Sequence, residues 1–536
     1  MYIDIVPNRN SPPAILLRES IREGQKIKKH TIANLSKWKS VRIEALRCLL
    51  RGDFDGVTSA ETVSGKIFGT LFVLKEFSNR LGITKALGNT KYSKLALFLI
   101  LARIANQGSR LAAIRWAKNH AVAEVLGLED FDEDDLYKTL DWIAEKQDKI
   151  EDKSFKEYLK KRAVPLSLVL YDVTSSYFEG EKNELAAFGH NRDKKGGKKQ
   201  IVIGLLTATD GEPLSVKVFK GNTSDPATIE EQIETTKNRF GIREVVFVGD
   251  RGMVKAKGRT LLSNNGFKYI SALTNPEIRK LLKKEVIQLG LFDETLHEVE
   301  CEGERLILRC NPHEKRKEEY RREDKIKRLE DYVKKRNLFV ANSQKAKPDS
   351  GLKKYLEWVK KHKISSFVNL FLKEREIIIE IDLEAKADNA LLDGCYVLRS
   401  NASKEMLTQD IHDRYMDLQN VERDFRTMKT QFLEIRPIFV RKAGRTKGHV
   451  FITMLALKIV REMRKLLKEE FGTINSDKGA INLEEVLEAL SRLNFTHTKL
   501  GNHTLTQIPN PDLYQTQILN SLQIRWPATK KFAKKM

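Results

Sequence analysis

Two aspartates stand at the ends of apolar stretches that are typical of buried strands. Asp172 ends the run LSLVLYD, and Asp250 ends the run EVVFVGD. Burying an unpaired charge is costly, so a carboxylate in such a position must be solvated, paired or bound to a metal ion. Ligand crevices form at strand ends in open α/β sheets, although a turn or helix-capping role is the alternative for each aspartate taken alone.

A third carboxylate, Glu422, lies in a stretch with helical periodicity, DRYMDLQNVERDFRTMK. Spacings of three and four residues place a set of five side chains on the same side of one helix. They are Tyr415, Leu418, Glu422, Arg426 and Lys429. A neighbouring apolar stripe, suited to packing on a sheet, consists of Val421, Phe425, Met428 and Phe432. We therefore expect Glu422 at the edge of the packed face, where a solvated side chain in ordinary helix ion pairs is the alternative.

Three carboxylates that converge would meet the requirement of two hard divalent cations. In two-metal phosphoryl transfer, one ion activates the attacking oxygen and the other stabilises the leaving oxygen. Mg²⁺ suits this chemistry because it prefers oxygen ligands and keeps water molecules for substrate phosphate. The predicted cofactors are therefore two Mg²⁺ ions, with Mn²⁺ able to substitute. The histidines and cysteines show no zinc-like spacing.

The elements that would position these carboxylates are a run of strands between helical regions. Residues 1–40 predict short strands around a turn, and residues 60–163 predict helices. The predicted strands of the central region are LSLVLYD and residues 200–209, 213–219, 244–250, 268–274 and 395–400. Helices are expected at 225–240, from Ser403 onward and over 451–467.

Composition favours a polyanionic partner. In 536 residues, 96 Lys plus Arg against 73 Asp plus Glu give a net charge of +23. An excess of this size favours DNA or RNA first and an anionic membrane second. The longest apolar runs, 95–105 and 451–460, are about half the length that spans a bilayer, and no secretory signal is readable. We therefore expect a cytoplasmic protein with no membrane partner.

The four cysteines, Cys48, Cys301, Cys310 and Cys395, form no CxxC pair. Cys301 and Cys310 could face each other across a hairpin. For a long chain with so few cysteines, however, we predict free thiols in a reducing compartment.

Several motifs resemble the DDE transposases of bacterial and archaeal insertion sequences, specifically the sixteen-thirty-four branch of the insertion-sequence-four superfamily. In chain order they are YDVTSSYF, FGHNRDKKGGKKQIVIGLLTATDGEPL, FKGNTSD, VVFVGDRGM and YMDLQNVERDFRTMKTQFLEIRPIFV followed by GHVFITMLALKI. They run from about residue 171 to 460, roughly half of the chain. The N-terminal strands followed by helices are also similar to this branch.

The resemblance implies a ribonuclease-H-like catalytic core, which is a mixed α/β sheet flanked by helices. It implies that Asp172, Asp250 and Glu422 are the catalytic, metal-binding triad. The expected segments are a DNA-end-binding region of strands and helices at 1–163, the first part of the core at 164–274, a β-rich insertion at 275–392, the second part of the core with the glutamate helix at 393–470, and a C-terminal helical tail at 471–536.

The superfamily signature Tyr-Arg-Glu-Lys is matched by Tyr415, Glu422 and Lys429. Leu418 stands at the Arg position, and Arg426, one turn beyond Glu422, is the expected substitute. Basic side chains near a scissile phosphate would neutralise it and attract DNA. The residues predicted to contact DNA are Tyr415, Arg426, Lys429, Arg436, Arg441, Lys442, Arg445, Lys447, Lys198 and Lys199. Solvated loops are the alternative for the basic segments.

The implied function is that of a DNA transposase, which binds the terminal inverted repeats of an insertion sequence and catalyses strand cleavage and strand transfer. Expected partners are the element ends, target DNA and a second copy of the chain, because joining two ends requires at least two protein chains. The expected location is the prokaryotic cytoplasm, at the nucleoid. The alternatives are a catalytically inactive, transposase-derived DNA-binding protein and a non-mobile nuclease on the same fold.

Overall fold

The computed structural model describes residues 1–9, 11–24, 26–52, 61–162, 166, 168–180, 182–189, 192–193, 195–240, 246–249, 254, 256–343, 345–429, 432–435, 438–472, 481–500 and 503–527. Contacts between Cα atoms group the chain into two compact units. The first unit contains Met1–Ser78, Ser109–Asp132 and Arg461–Met536, and the second, called the larger unit below, contains Asn79–Gly108 and Glu133–Val460. Within the described ranges, no helix is long and apolar enough to cross a membrane.

Strands open the chain and helices follow them. The strands are β1 (Tyr2–Val6), β2 (Ala14–Glu23), β3 (Lys26–Asn34) and β4 (Glu61–Ile67). The helices are α1 (Ser40–Arg51), α2 (Gly69–Arg80), α3 (Ile83–Leu87), α4 (Lys91–Ala105), α5 (Arg110–Asn119), α6 (Val122–Leu126), α7 (Glu133–Glu145) and α8 (Gln147–Leu159). Both predictions for this part of the chain, strands and then helices, agree with these bounds apart from the additional strand β4.

The middle of the chain alternates strands with helices. Its elements are β5 (Leu168–Tyr177), β6 (Gln200–Ala208), β7 (Pro213–Lys220), α9 (Asp225–Glu234), β8 (Val246–Gly249), α10 (Ala256–Asn264) and β9 (Lys268–Ala272). The block that follows contains α11 (Asn275–Lys283), β10 (His297–Cys301), β11 (Glu304–Cys310), α12 (Pro312–Ala341), α13 (Pro348–Lys361), β12 (Val368–Lys373), β13 (Glu376–Ile381) and α14 (Leu383–Ala390).

The remaining elements include the glutamate helix. They are β14 (Cys395–Ser400), α15 (Thr408–Met416), α16 (Leu418–Lys429), α17 (Ala443–Phe471), α18 (Leu483–Ser491), β15 (Asn494–Leu500), β16 (His503–Gln507) and α19 (Leu513–Ser521). The long helix predicted from Ser403 onward is therefore two helices that meet at Asp417.

The larger unit is built on an eight-stranded sheet with the order β10-β11-β14-β9-β8-β5-β6-β7. β5 pairs in parallel with β8, and β8 pairs in parallel with β9. On its other side, β5 begins an antiparallel meander through β6 and β7. Helices pack against the sheet, among them α8 on β7, α10 on β9 and α16 on β5. The predicted fold class, a mixed sheet flanked by helices, is confirmed.

Helix α8 belongs to the larger unit although it precedes β5. Its Glu151 side chain is buried and accepts hydrogen bonds from Ser215 Oγ at 3.0 Å and from the Val216 N–H at 3.3 Å. Arg239 lies 3.1 Å from the same carboxylate. Burial raises the pKa of Glu151, and Arg239 opposes that shift. The predicted boundary near residue 163 therefore does not separate these helices from the sheet.

The block at 275–392 is not a separate β-rich body. Its hairpin β10–β11 extends the main sheet, because β11 pairs with β14 and β14 pairs with β9. Helix α12, with 30 residues, is its largest element, and the block carries more helix than strand, whereas the resemblance implies a β-rich insertion. A second apolar cluster, which includes Leu329, Phe367 and Ile377, lies between α12, α13 and β12–β13.

All four cysteines are free thiols. Cys301 pairs in register with Glu304, so it does not face Cys310 across the hairpin. Cys310 instead pairs in register with Cys395. Burial raises the pKa of the Cys395 thiol to about 12, with the neighbouring Cys310 contributing, so the Cys395 thiol remains protonated at neutral pH.

The C-terminal segment differs from the predicted helical tail. Strands β15 and β16 form a three-stranded sheet with β4, in the order β16-β15-β4. Phe68 packs in this unit against Phe495 and Trp526. The tail therefore completes the first unit by pairing with a strand from the N-terminal region, a long-range contact that local periodicity does not reveal.

Candidate active site

Asp172 lies on β5, an interior strand of the eight-stranded sheet. Asp172 is partly exposed, whereas the other residues of β5 from Leu168 to Ser176 are buried. In the described residues, the parallel pairing of β5 with β8 includes Leu168↔Val246 to Tyr171↔Gly249, directly before Asp172. The carboxylate oxygen Oδ1 accepts a hydrogen bond from the Val173 N–H at 2.7 Å. The prediction that Asp172 ends its strand is wrong, because β5 continues to Tyr177.

Glu422 is held over this strand by the packing of α16. The apolar stripe of the helix, Val421, Phe425 and Met428, is buried, and α16 contacts β5. Glu422 itself is exposed, as expected for a residue at the edge of the packed face. Local sequence explains this arrangement. The apolar side chains at helical spacing face the sheet, so the adjacent polar residues of α16 lie at the edge of the packed face.

A cavity of about 480 Å³ brings these carboxylates together. Its lining residues are Asp172, Tyr415, Met416, Leu418, Gln419, Glu422, Arg423 and Arg426. Four residues of the predicted helix face, Tyr415, Leu418, Glu422 and Arg426, therefore share one wall. Arg423 also lines the cavity and was not among the predicted site residues, although its spacing from Gln419 and Arg426 would have included it.

Asp417 joins the two helices that form this wall. Burial raises the pKa of its carboxyl group, and Arg414 opposes the shift across a distance of 3.3 Å. The break in the predicted helix therefore occurs at a partly buried, paired carboxylate, which lets Tyr415 and Glu422 face the same cavity from two helices.

The third predicted carboxylate, Asp250, lies outside the described residues, and so does Arg436. In the part of the chain that is described, no group of three His, Cys, Asp or Glu side chains is arranged to hold a metal ion. The residues that are described nevertheless fit Mg²⁺, because Asp172 and Glu422 offer hard oxygen ligands on one open cavity. Gly249, the residue before Asp250 in the sequence, is in register with Tyr171, the residue before Asp172.

Lys429, predicted to contact DNA, has protein partners. Its Nζ atom lies 2.8 Å from Asp193 Oδ1 and donates to Thr174 Oγ1 at 2.8 Å. The Asp193 side chain is 1% exposed, and its Oδ2 atom accepts a hydrogen bond from the Tyr177 N–H at 3.0 Å. Sequence reasoning missed Asp193. The available signal was a single acid within the otherwise basic stretch NRDKKGGKK.

The remaining predicted DNA contacts differ in their surroundings. Arg441, Lys442 and Lys447 are exposed. Arg445 lies 3.0 Å from Asp141 and 4.9 Å above the Tyr137 ring, both on α7. The segment contains no acid in the sequence, but the fold supplies one to Arg445.

In the other basic loop, Lys198 is exposed and pairs with Glu179 at 2.8 Å. Lys199 lies 6.0 Å from the centre of the Phe188 ring. The Phe188 side chain is 64% exposed. One lysine of this loop is therefore partly neutralised, while the other borders an exposed aromatic ring.

Comparison with protein families identifies the region that contains the mixed sheet. The family described as "Transposase DDE domain" matches residues 165–459, more than half of the chain. This protein therefore belongs to the DDE transposases. The model of the "IS1634 family transposase, N-terminal domain" matches residues 3–61, so the chain is a member of that branch, and the predicted resemblance is confirmed.

One solved structure similar to the chain is the cryo-EM structure of a piggyBac transposase synaptic complex with hairpin DNA. The sequence identity is 11%, the match covers 78% of each chain, and the TM-score is 0.36. A comparison with curated proteins gave no significant match.

Proposed function

We propose that this protein cuts the ends of an insertion sequence and joins them to target DNA. Membership of the DDE transposases supports the reaction class. The observation that carries the residue assignment is that Asp172 and Glu422, from elements far apart in the chain, line one cavity. We assign Asp250 as the third carboxylate because it follows Gly249, whose register partner precedes Asp172.

Asp172, Asp250 and Glu422 would hold two Mg²⁺ ions, or Mn²⁺ in their place, through carboxylate oxygens. When bound, the ions supply activation of the attacking oxygen and stabilisation of the leaving oxygen. The chain positions the ligands in advance. Asp172 is fixed by a strand with neighbours on both sides, and Glu422 is fixed by a helix whose apolar stripe is buried.

The cavity wall also carries cations that suit a DNA phosphate. The guanidinium groups of Arg423 and Arg426 can form charge-assisted hydrogen bonds with phosphate oxygens. Arg426 would thereby fill the role left by Leu418 at the signature position. Tyr415, on the same wall, offers a hydroxyl group to the DNA backbone.

The proposed substrates are the terminal inverted repeats of the element and its target DNA. The exposed side chains of Arg441, Lys442 and Lys447 extend the basic surface along which DNA would run. We further propose that the protein acts as a homodimer on DNA, because two ends must be joined together, and that it acts at the nucleoid in the cytoplasm.

The test is cleavage of a duplex that carries one element end, with Mg²⁺ present. We expect Asp172→Asn, Asp250→Asn and Glu422→Gln each to abolish strand cleavage while leaving DNA binding nearly intact. Removal of one ligand disrupts charge stabilisation in the transition state, a loss of roughly 3–4 kcal/mol or more. Cleavage by any of the three at the wild-type rate would show that the triad is wrong.

Glu405→Gln is the matched control, because Glu405 is an exposed carboxylate that does not line the cavity. It should cut like the wild type. A wild-type protein that binds element ends but never cuts would instead be a catalytically inactive DNA-binding protein. Cleavage without any strand transfer would indicate a non-mobile nuclease.

A further inference from the structure

Two strands of the N-terminal sheet project beyond the third. β1 pairs with β2 only from Val6↔Ala14 to Tyr2↔Arg18. β2 and β3 continue to pair as far as Glu23↔Lys26. Between residues 19 and 32, every residue with a described side chain is exposed. A two-stranded hairpin is marginally stable alone in water, so this β2–β3 ribbon is suited to gain stability from a partner.

The two faces of the ribbon differ in charge. Side chains alternate between the two faces of a strand. The register therefore places six residues on one face, namely Arg18, Ser20, Arg22, Ile27, Lys29 and Thr31. This side is called the arginine face below. It carries no acid from the described residues of β2 or β3. Asp4 of β1 is its acidic neighbour, 2.8 Å from Arg18 and 3.7 Å from Lys29.

The opposite face is closer to neutral. It carries Glu19, Lys28 and His30, with Ile21 opposite Lys28. Lys26 pairs in register with Glu23. Lys28 and Lys29 are therefore adjacent, equally charged and both exposed, yet they belong to faces of different charge.

We infer that the arginine face of the β2–β3 ribbon binds double-stranded DNA by entering the major groove. This inference rests on the proposed function and names the element that contacts the DNA. The five paired residues beyond Arg18 extend about 17 Å at about 3.4 Å per residue. The major groove is about 12 Å wide and admits a two-stranded ribbon. Arg22 and Lys29 then reach base edges and phosphates.

Charge decides between DNA and a second copy of the chain as the occupant. Two arginine faces placed against each other would repel, because Arg22 and Lys29 would meet the same cations. DNA phosphates attract them, and a β-ribbon is an established way to read a groove.

The experiment measures binding of the full chain to a labelled duplex with an element end and to a random duplex, over a series of salt concentrations. Arg22→Ala and Lys29→Ala should each weaken binding roughly tenfold and flatten the salt slope by up to about one unit per lost phosphate contact. Lys28→Ala, the matched control on the opposite face, should stay within about twofold of the wild type.

Two results would overturn this inference. Equal losses for Lys28→Ala and Lys29→Ala would mean general charge attraction with no preferred face. Normal DNA binding by the Arg22→Ala/Lys29→Ala protein, with a changed mass in light scattering, would make a second copy the occupant. Either outcome leaves cleavage by the carboxylates intact, whereas failure of the wild type to cut any end would remove the proposed function itself.

A second inference rests on the contacts of Lys429. Thr174, which accepts from Lys429, is two residues after Asp172, so the two lie on the same side of β5. Lys429 is two helical turns after Glu422 and lies near the same face of α16. The Asp193–Lys429 pair therefore joins the strand that carries one proposed ligand to the helix that carries another.

We infer that Asp193 is a positioning residue, which fixes Lys429 on β5 and thereby sets the distance between Glu422 and Asp172. The pair is nearly buried, with side-chain exposures of 1% and 11%. Loss of one partner from such a pair leaves an uncompensated charge. This inference deepens the proposed function, because groups that orient metal ligands affect metal affinity although they do not touch the ion.

The test measures Mn²⁺ binding by electron paramagnetic resonance, together with DNA affinity, for Asp193→Asn in the full chain. We expect Mn²⁺ affinity to fall about 10- to 100-fold, with DNA affinity nearly unchanged. Lys458→Met is the matched control, because Lys458 is also buried and donates to the Pro213 carbonyl at 3.0 Å in the same unit. Its Mn²⁺ affinity should stay at the wild-type value.

Weaker DNA binding with unchanged Mn²⁺ affinity would overturn the positioning role and make Lys429 a DNA contact. Equal losses of Mn²⁺ affinity in Asp193→Asn and Lys458→Met would show that the Asp193–Lys429 pair contributes only to folding. Absence of Mn²⁺ binding in the wild type would instead contradict the proposed metal site.

Discussion

The eight-stranded sheet and the three-stranded sheet β1–β2–β3 differ in what covers them. In β6 all nine residues are buried, whereas in β3 eight of nine are exposed. Burial fixes side chains before any substrate arrives, as the proposed metal-binding chemistry requires. An exposed ribbon has little packing of its own and is suited to a surface that binds and releases a polyanion. The buried sheet is therefore suited to hold side chains in fixed positions, and the exposed ribbon is suited to contact another molecule.

The largest effect should come from removing a large side chain from the core beside the eight-stranded sheet. Phe247 on β8 is fully buried and lies 5.6 Å from the Tyr171 ring. Phe247→Ala should lower the free energy of unfolding by about 3–5 kcal/mol, because the cavity it leaves is only partly refilled. Urea denaturation followed by tryptophan fluorescence measures this loss, and a loss below about 1 kcal/mol would contradict the tight packing around β5.

A smaller loss is expected from adding one methyl group to the same sheet. A Cβ atom at Gly204 on β6 would collide with the hydroxyl and ring of Tyr171, the residue before Asp172. Gly204→Ala should therefore lower the free energy of unfolding by about 1–3 kcal/mol. Gly290→Ala is the control, because a Cβ atom there meets nothing within 4 Å. Equal stability of the two proteins would show that β5 can shift without cost.

Exposed cations at the start of α17 test the same contrast within the larger unit. Replacing Arg441, Lys442 and Lys447 together by Ala should lower DNA affinity on all sequences and flatten the salt slope by up to about one unit per lost contact. Arg445→Ala should have a smaller effect, because Arg445 already pairs with Asp141. An unchanged slope in the triple variant would leave the segment as a solvated surface.

The smallest effect on stability is expected on the ribbon. Ile27, 68% exposed, lies on the arginine face. Ile27→Ala should change the free energy of unfolding by no more than about 0.5 kcal/mol. Thermal denaturation without DNA measures it, and a loss of several kcal/mol would show that protein covers this face of the ribbon.

The sequence predicted most of the core and one wall of the cavity. Continuous apolar runs identify β5 and β8, and the predicted strands at 200–209 and 213–219 correspond to the paired strands β6 and β7. Helical spacing grouped Tyr415, Glu422 and Arg426, which share the cavity wall. These predictions succeeded because each depends on residues within a few turns or strand lengths of one another. The assignment of Asp250 stays a prediction.

Long-range pairing was decided by the tertiary structure alone. The buried partner of Lys429 is Asp193, from a loop that reads as basic, and the cysteine beside Cys310 is Cys395. Local spacing determines which residues share the face of a helix or strand. Which faces meet depends on packing across the whole sheet, because the free energy gained by burying side chains must exceed the loss of chain entropy. By itself the sequence therefore determined the core strands and the helix face that carries Glu422, and only the fold decided which charges became partners.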